Sequence, residues 1–332
     1  MMKKIIGCLL LFQTLSAELT VSESTSIDEA ISACFPQLQS EAFSAKRLNG
    51  GHSGDPKFLL RGEGKQYVLR LFQSNDSLKN QRILYAMLEG AKAGIAPQIH
   101  FVSKDNKTII MDYIEGGTHS LEQSRNRENR ELITAGLRKV HATEKNPYIQ
   151  VNMQERAEEF YQQYYDRMVN KQDFTVAFHL LMQTFQELEN LNPPHVNIHA
   201  DLSPRNIFIS NGHVFFIDWS PYWEDPFLDL TYFAVSHDFG DEEEKSLLED
   251  YLQRSPTLEE KKRFQLAKKI VLSRLCMSLN MLVSDEEGID VSAPLKEYSH
   301  YIRLLTSPDV ELTSQYFYEV SQILLQKAKM AD

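Results

Sequence analysis

Short β-prone apolar runs crowd the first part of the chain, and helical spacing dominates the remainder. Residues 46–48, 57–61 and 66–72 are expected as three strands joined by Gly-rich turns, with Gly50-Gly51-His52-Ser53-Gly54 between the first two. Ahead of them, residues 27–34 predict a short helix that stops before Pro36. Ser26 is its expected N-cap, because Ser26 and Glu29 have the spacing of a capping box. Within residues 78–93, Leu84, Met87, Leu88 and Ala91 recur at helical spacing; Gly94 ends the run and Pro97 lies beyond. Residues 108–113 form another strand, leading into Ile114-Glu115-Gly116-Gly117. Helices are then expected over 132–141, 151–191, 247–252, 261–282, 295–305 and 314–327. In that scheme Tyr161, Tyr164, Tyr165 and Met168 belong to an amphipathic core face, and His141 is a structural residue at a helix end.

The helical part is interrupted once. Ile207-Phe208-Ile209 and Val214-Phe215-Phe216-Ile217 flank Asn211-Gly212, a strong signal for a tight hairpin. Such a hairpin brings the loop before its first strand beside the loop after its second, so Asp201, Asn206 and Asp218 should converge. Three oxygen-bearing side chains in one pocket suit a hard divalent cation and a phosphate ester. Asp and Asn are also ordinary turn residues, so the weight rests on the longer pattern. His199-x-Asp201-x4-Asn206 is followed by Asp218-Trp219 and then by Asp225-Pro226-x2-Asp229-Leu230.

That ordered set resembles the aminoglycoside phosphotransferase and choline kinase superfamily, small-molecule kinases related in fold to protein kinases. Ile217-Asp218-Trp219 and the Asp225-to-Leu230 element look closer to bacterial choline, ethanolamine and thiamine kinases than to protein kinases. The resemblance runs from about residue 45 to about residue 300. It implies an α+β, two-lobed protein-kinase-like fold, with a β-rich nucleotide-binding N-lobe over 18–116 and a mainly helical C-lobe over 117–332. It further implies transfer of phosphate from ATP, with Mg²⁺, to the hydroxyl of a small molecule.

The same resemblance assigns roles. Asp201 orients the acceptor, and His199 acts more as a scaffold for the loop than as a base. Asn206 and Asp218 hold the metal. Gly50, Gly51 and Gly54 cover the phosphates, and Arg70 meets them from the strand position where kinases place a lysine. Met111 and Tyr113 lie beside the adenine, and Asp229 caps a helix beginning near Leu230 or braces the loop. One departure stands out. The helix over 78–93 should carry a glutamate that pairs with the strand cation, but positions 81 to 83 hold no acid and Glu89 comes about two turns too late.

Trp219, Tyr222 and Trp223 form the one dense aromatic cluster beside the metal residues. With Asp225 nearby, their faces suit a quaternary ammonium group, which puts choline first among acceptors, ahead of ethanolamine, thiamine and amino sugars. Packing of the segment after Asp218 is the competing reading. A formal net charge of −11 argues against an electrostatic nucleic-acid binder and is compatible with a cationic substrate. The chain of 332 residues, 42% hydrophobic and 24% charged, has room for two lobes with a sizeable core.

The first residues suggest export. Lys3-Lys4, an apolar run to Phe12 and small residues up to Ala17 form a secretory signal pattern, too short to span a bilayer. Cleavage would make the protein secreted or periplasmic, and retention would leave it cytoplasmic, where ATP is available. Cys34 and Cys276 are expected as buried unpaired thiols rather than a disulfide framework. A rival reading is a kinase-fold binding protein that transfers no phosphate, such as a secreted effector. The missing helix glutamate, the irregular glycine loop and the export signal favour it; retention of Asp201, Asn206 and Asp218 opposes it.

Overall fold

The structure, a computed structural model, describes residues 20–37, 42–48, 54–62, 64–116, 120–284, 288–306, 310 and 312–331. The signal pattern over residues 1–17, with Cys8, therefore lies outside the described residues, as do Gly50, Gly51 and Gly117.

Alternation of period two builds the first lobe. β1 (Ser44–Leu48), β2 (Lys57–Gly62), β3 (Lys65–Leu71), β4 (Ile99–Val102) and β5 (Thr108–Asp112) form one antiparallel sheet in the order β1-β2-β3-β5-β4. The sequence pattern predicts four of these strands and misses β4, a four-residue edge strand with a shifted register against β5. One face of the sheet presents Phe58, Leu60, Tyr67, Leu69, Leu71 and Ile110 to helix α1 (Val21–Cys34), which buries Ile27, Ala30 and Ile31 against them. The alternate positions, Lys57, Val68, Arg70 and Met111, face the cleft below. The cap of helix α1 lies six residues earlier than expected. Thr20 and Glu23 make the reciprocal capping bonds at 3.2 and 3.0 Å, so the same spacing upstream wins and Ser26 is interior to the helix.

Helix α2 (Ser77–Lys92) is capped by Asp76 and packs Ile83, Leu84 and Met87 into the main core. After β5 come α3 (Leu121–Arg125), α4 (Arg127–His141), α5 (Met153–Tyr164) and α6 (Lys171–Glu189). The expected helix over 151–191 is thus two helices, separated by a 3-10 turn at Tyr165–Arg167 and restarted by the Asn170 cap. Its aromatics do form a core face, with Tyr161 stacked on Phe178 at 4.0 Å and on Phe174 at 5.3 Å.

The interruption is a pair of two-stranded ribbons: β6 (Val196–Ile198) pairs with β9 (Tyr222–Glu224), and β7 (Ile207–Ser210) with β8 (His213–Phe216). Ser210 faces His213 across a two-residue turn in which Asn211 and Gly212 have φ of 52° and 75°, the left-handed pair the tight hairpin requires. Helices α7 (Phe227–Ser236), α8 (Asp241–Leu252), α9 (Leu258–Asn280), α10 (Tyr298–Thr306) and α11 (Ser314–Met330) complete the lobe. The fold is the expected two-lobed α+β arrangement. Among the described residues no helix is long and apolar enough to cross a membrane. Cys276 is buried as expected, whereas Cys34 is only half-buried; both thiols are free.

The hairpin is pressed onto α4 at Gly136. A β-carbon there would lie 2.6 Å from Val214 Cγ1 and 2.9 Å from Phe216 Cε2, both in the core. Gly136→Ala should therefore destabilise the protein by about 1–3 kcal/mol despite the better helix propensity of alanine. Denaturant unfolding checks this, and an unchanged midpoint would refute the tight seat of the hairpin.

Candidate active site

Between the sheet and the β7–β8 hairpin lies a cleft of about 200 Å³, lined by Lys57, Val68, Arg70, Met111, Tyr113, Asp218 and Trp219 among others. Met111 and Tyr113 therefore share a cavity with Arg70 and Asp218. Gly54, the remaining described glycine of the loop, is exposed with φ of 70° and immediately precedes Asp55.

Arg70 is only 4% exposed, and its guanidinium bridges two carboxylates. Nε and Nη2 donate to Asp55 Oδ2 at 3.0 and 2.7 Å, and Nη1 lies 3.1 Å from Asp218 Oδ1. The ion pair expected from α2 is thus made by Asp55, at the entry to β2. In α2 itself Glu89 instead pairs with Lys92 at the surface. Lys57 sits directly across from Arg70 in the β2–β3 register and places Nζ 3.6 Å from Asp218 Oδ2. Burial works against ionisation of Asp218, but Arg70 and Lys57 outweigh it and hold the carboxyl below its ordinary pKa. Burial also lowers the Lys57 pKa, against the attraction of Asp218.

The 199–206 loop is held from beneath by Asp229. This carboxylate is fully buried and accepts three hydrogen bonds: His199 N–H and Ala200 N–H at 2.8 Å each, and His141 Nε2 at 3.1 Å. Ala200 adopts φ of 62°, which turns consecutive amides onto one carboxylate. Of the two roles expected for Asp229, bracing is the one it fills; α7 begins at Phe227, whose N–H donates to Asp225. His199 is fully buried, and burial pushes its pKa down. Ile217 O can only accept, so the neutral ring donates from Nε2 to it at 3.0 Å and receives Asp201 N–H on Nδ1 at 3.3 Å. In this geometry His199 ties the loop to the residue before Asp218.

Asn206 closes the loop by donating Nδ2 to Asp201 O at 2.9 Å, and its own carbonyl accepts Ile217 N–H at 3.0 Å. Asp201, Asn206 and Asp218 are thereby brought together. Asn206 spends its amide nitrogen on the loop, which leaves its amide oxygen, with the Asp218 carboxylate, as ligands of the type Mg²⁺ takes. The donor set fits that ion. Burial raises the pKa of Asp201, opposed by His199 and by a hydrogen bond from the Tyr232 hydroxyl. Burial and the Asp201 charge raise Tyr232 well above its ordinary value, so it stays a donor. Arg274 on α9 reaches Ala200 O at 3.4 Å.

Asp55, Lys57, Tyr232 and Arg274 were not singled out from the sequence. Only strand register could reveal Lys57, and nothing in the local pattern marks the others.

The expected substrate cluster does not form a cage. Trp219 is buried against the His199 ring at 4.6 Å, with its Nε1 donating to Phe216 O. Tyr222 is flanked by Arg82 and Arg274 at 5.2 and 5.8 Å, and Trp223 is covered by Lys145 at 5.2 Å. The chain's own cations occupy the aromatic faces that a quaternary ammonium would need. Asp225 is 1% exposed and gives both oxygens to Arg263 at 2.9 Å, so it faces a structural partner and no ligand.

Residues 44–264 match the phosphotransferase enzyme family. The chain is 25% identical over 232 residues to Protein LicA of Haemophilus influenzae, covering 67% of this chain and 85% of that protein. Among solved structures it resembles choline kinase LicA from Streptococcus pneumoniae, with a TM-score of 0.67 and 16% identity over 92% of this chain and 99% of that one. It also resembles the aminoglycoside phosphotransferase of a streptomycin–ATP ternary complex, with a TM-score of 0.57 and 16% identity over 79% of this chain and 92% of that one. With the match covering more than half of its length, the chain belongs to the phosphotransferase enzyme family.

Proposed function

We propose that this phosphotransferase is an ATP- and Mg²⁺-dependent kinase that phosphorylates the hydroxyl of a small amino alcohol, with choline and ethanolamine the first acceptors to test and thiamine and amino sugars next. Residues 18–116 would carry the nucleotide and residues 117–332 the acceptor. The observation that carries the reading is the convergence of Asp201, Asn206 and Asp218 beside two buried cations, Arg70 and Lys57, in one cleft. A relative that resembles this fold is named a choline kinase, and another was solved with ATP, which supports the substrate class and the nucleotide.

In this reading the adenine lies by Met111 and Tyr113, and the phosphates run toward Arg70 and Lys57. Mg²⁺ supplies charge neutralisation for the phosphates and is held by Asn206 and Asp218. Asp201 accepts the hydrogen bond of the acceptor hydroxyl and so aims its lone pair at the terminal phosphorus. Tyr232 fixes the Asp201 rotamer, while His199 and Asp229 hold the loop. Of the three features that favour a pure binding role, the missing helix glutamate weighs less, because Asp55 pairs with Arg70 instead.

Transfer from labelled ATP to choline, ethanolamine, thiamine and aminoglycosides tests the reading. One acceptor should be labelled, and Asp201→Asn should lower kcat about 10²–10⁴-fold with little change in the KM for ATP. Equal turnover in that variant would remove Asp201 from the mechanism. Lys57→Met should raise the KM for ATP about tenfold or more, as expected on losing a charge-assisted phosphate contact. An unchanged KM would leave Lys57 as a mere partner of Asp218.

A further inference from the structure

The β6–β9 ribbon carries the 199–206 loop at one end, and at its other end three ligand-bearing side chains meet. Glu189 is the last residue of α6, His195 immediately precedes β6, and Glu224 is the last residue of β9. The cross-strand pair Val196–Glu224 sets Glu224 beside the residue that follows His195. One ligand atom from each of the three lies within 4.8 Å of the others, and His195 Nε2 is 3.1 Å from Glu189 Oε1.

Glu224 makes this more than a surface cluster. It is 4% exposed, and its Oε1 accepts Met153 N–H at 2.7 Å. No lysine or arginine of the described residues forms an ion pair with it, and burial pushes its pKa up to about 7, opposed by the Met153 N–H bond and by its neighbour His195. Arg263 is already committed to the neighbouring Asp225 in a bidentate pair. A carboxylate removed from water needs a compensating charge or a proton. His195 and Glu189 are the ligand-bearing side chains that stand beside it.

We infer that Glu189, His195 and Glu224 form a binding site for one zinc-class divalent cation, separate from the nucleotide cleft. One imidazole nitrogen and two carboxylate oxygens suit Zn²⁺ or a similar borderline metal, whereas Mg²⁺ takes oxygen ligands and keeps its waters. With metal–ligand bonds of about 2.0–2.2 Å, tetrahedral ligands sit about 3.3–3.6 Å apart. Closing from the present spacing asks for roughly 1 Å of movement, which the exposed Glu189 side chain at a helix end can supply by changing rotamer. A water would complete the fourth position. The bound ion would tie the end of α6 to the base of the ribbon that carries the 199–206 loop, and through Glu224 to the first turn of α5. This site does not depend on the phosphoryl-transfer reading.

Metal-free full-length protein, without nucleotide, is titrated with Zn²⁺ by calorimetry and followed by thermal unfolding; Co²⁺ absorption gives the ligand signature. The expected result is one equivalent of Zn²⁺ bound, a raised Tm and a Co²⁺ spectrum of nitrogen and oxygen ligands. His195→Ala and Glu224→Gln should each weaken binding by at least about tenfold, and Asp218→Asn should leave it intact. Absence of saturable binding overturns the inference. So does affinity unchanged in His195→Ala, or binding lost in Asp218→Asn. If Glu224→Gln fails to fold, His195→Ala decides, since that position is only half-buried.

Discussion

A buried guanidinium between two carboxylates joins the two lobes of this protein. Arg70 belongs to the sheet, Asp55 to the loop that enters it, and Asp218 to the end of the β7–β8 hairpin. Burying one charge alone is costly, and the attraction repays it only when hydrogen bonds satisfy both partners. Here Asp55 takes two bonds from Arg70 and a third from Gln73 N–H at 2.9 Å. The guanidinium is therefore fixed before any ligand arrives. Its remaining edge and Lys57 press on Asp218, so the site holds its acid ionised where a metal ion and phosphates would later share it.

A second buried carboxylate does the same work for the 199–206 loop, which the proposed function sets against the acceptor. Asp229 gathers two consecutive amides and one imidazole, and hydrogen bonds to a charged group contribute about 1.5–3 kcal/mol each. Those bonds offset the left-handed backbone at Ala200 and leave Asp201 projecting from a rigid turn. His199, neutral and doubly hydrogen-bonded, locks the same turn to the strand before Asp218. Both anchors are themselves buried, so the loop keeps its shape.

Much of this was legible in the sequence because it is local. The Asn211-Gly212 turn, the glycine stop of α2 and the spacing from His199 to Asn206 each follow from a few adjacent residues. What escaped depends on partners distant in the chain. Asp55 answers the missing helix acid only once β2 and β3 are in register, and no spacing rule connects it to Arg70. Lys57 becomes a second cleft cation for the same reason. The aromatic cluster failed differently: three neighbouring rings looked like a cage, but Tyr222 and Trp223 point to opposite faces of β9 and Trp219 is buried behind His199. Composition can gather aromatic residues, yet only packing says whether a face is free. At the N-terminus, two equally spaced caps competed, and the upstream Thr20 gives the longer helix.

The central claim is that Asp55 replaces the absent helix acid and makes Arg70 competent to hold nucleotide. Calorimetric titration of ATP into wild type and Asp55→Ala, each with and without Mg²⁺, tests it most directly. The account predicts Mg²⁺-dependent binding in wild type and a loss of at least about tenfold in the variant, the scale of one charge-assisted pair. Equal affinity in the two proteins, or no ATP binding by wild type, would contradict it.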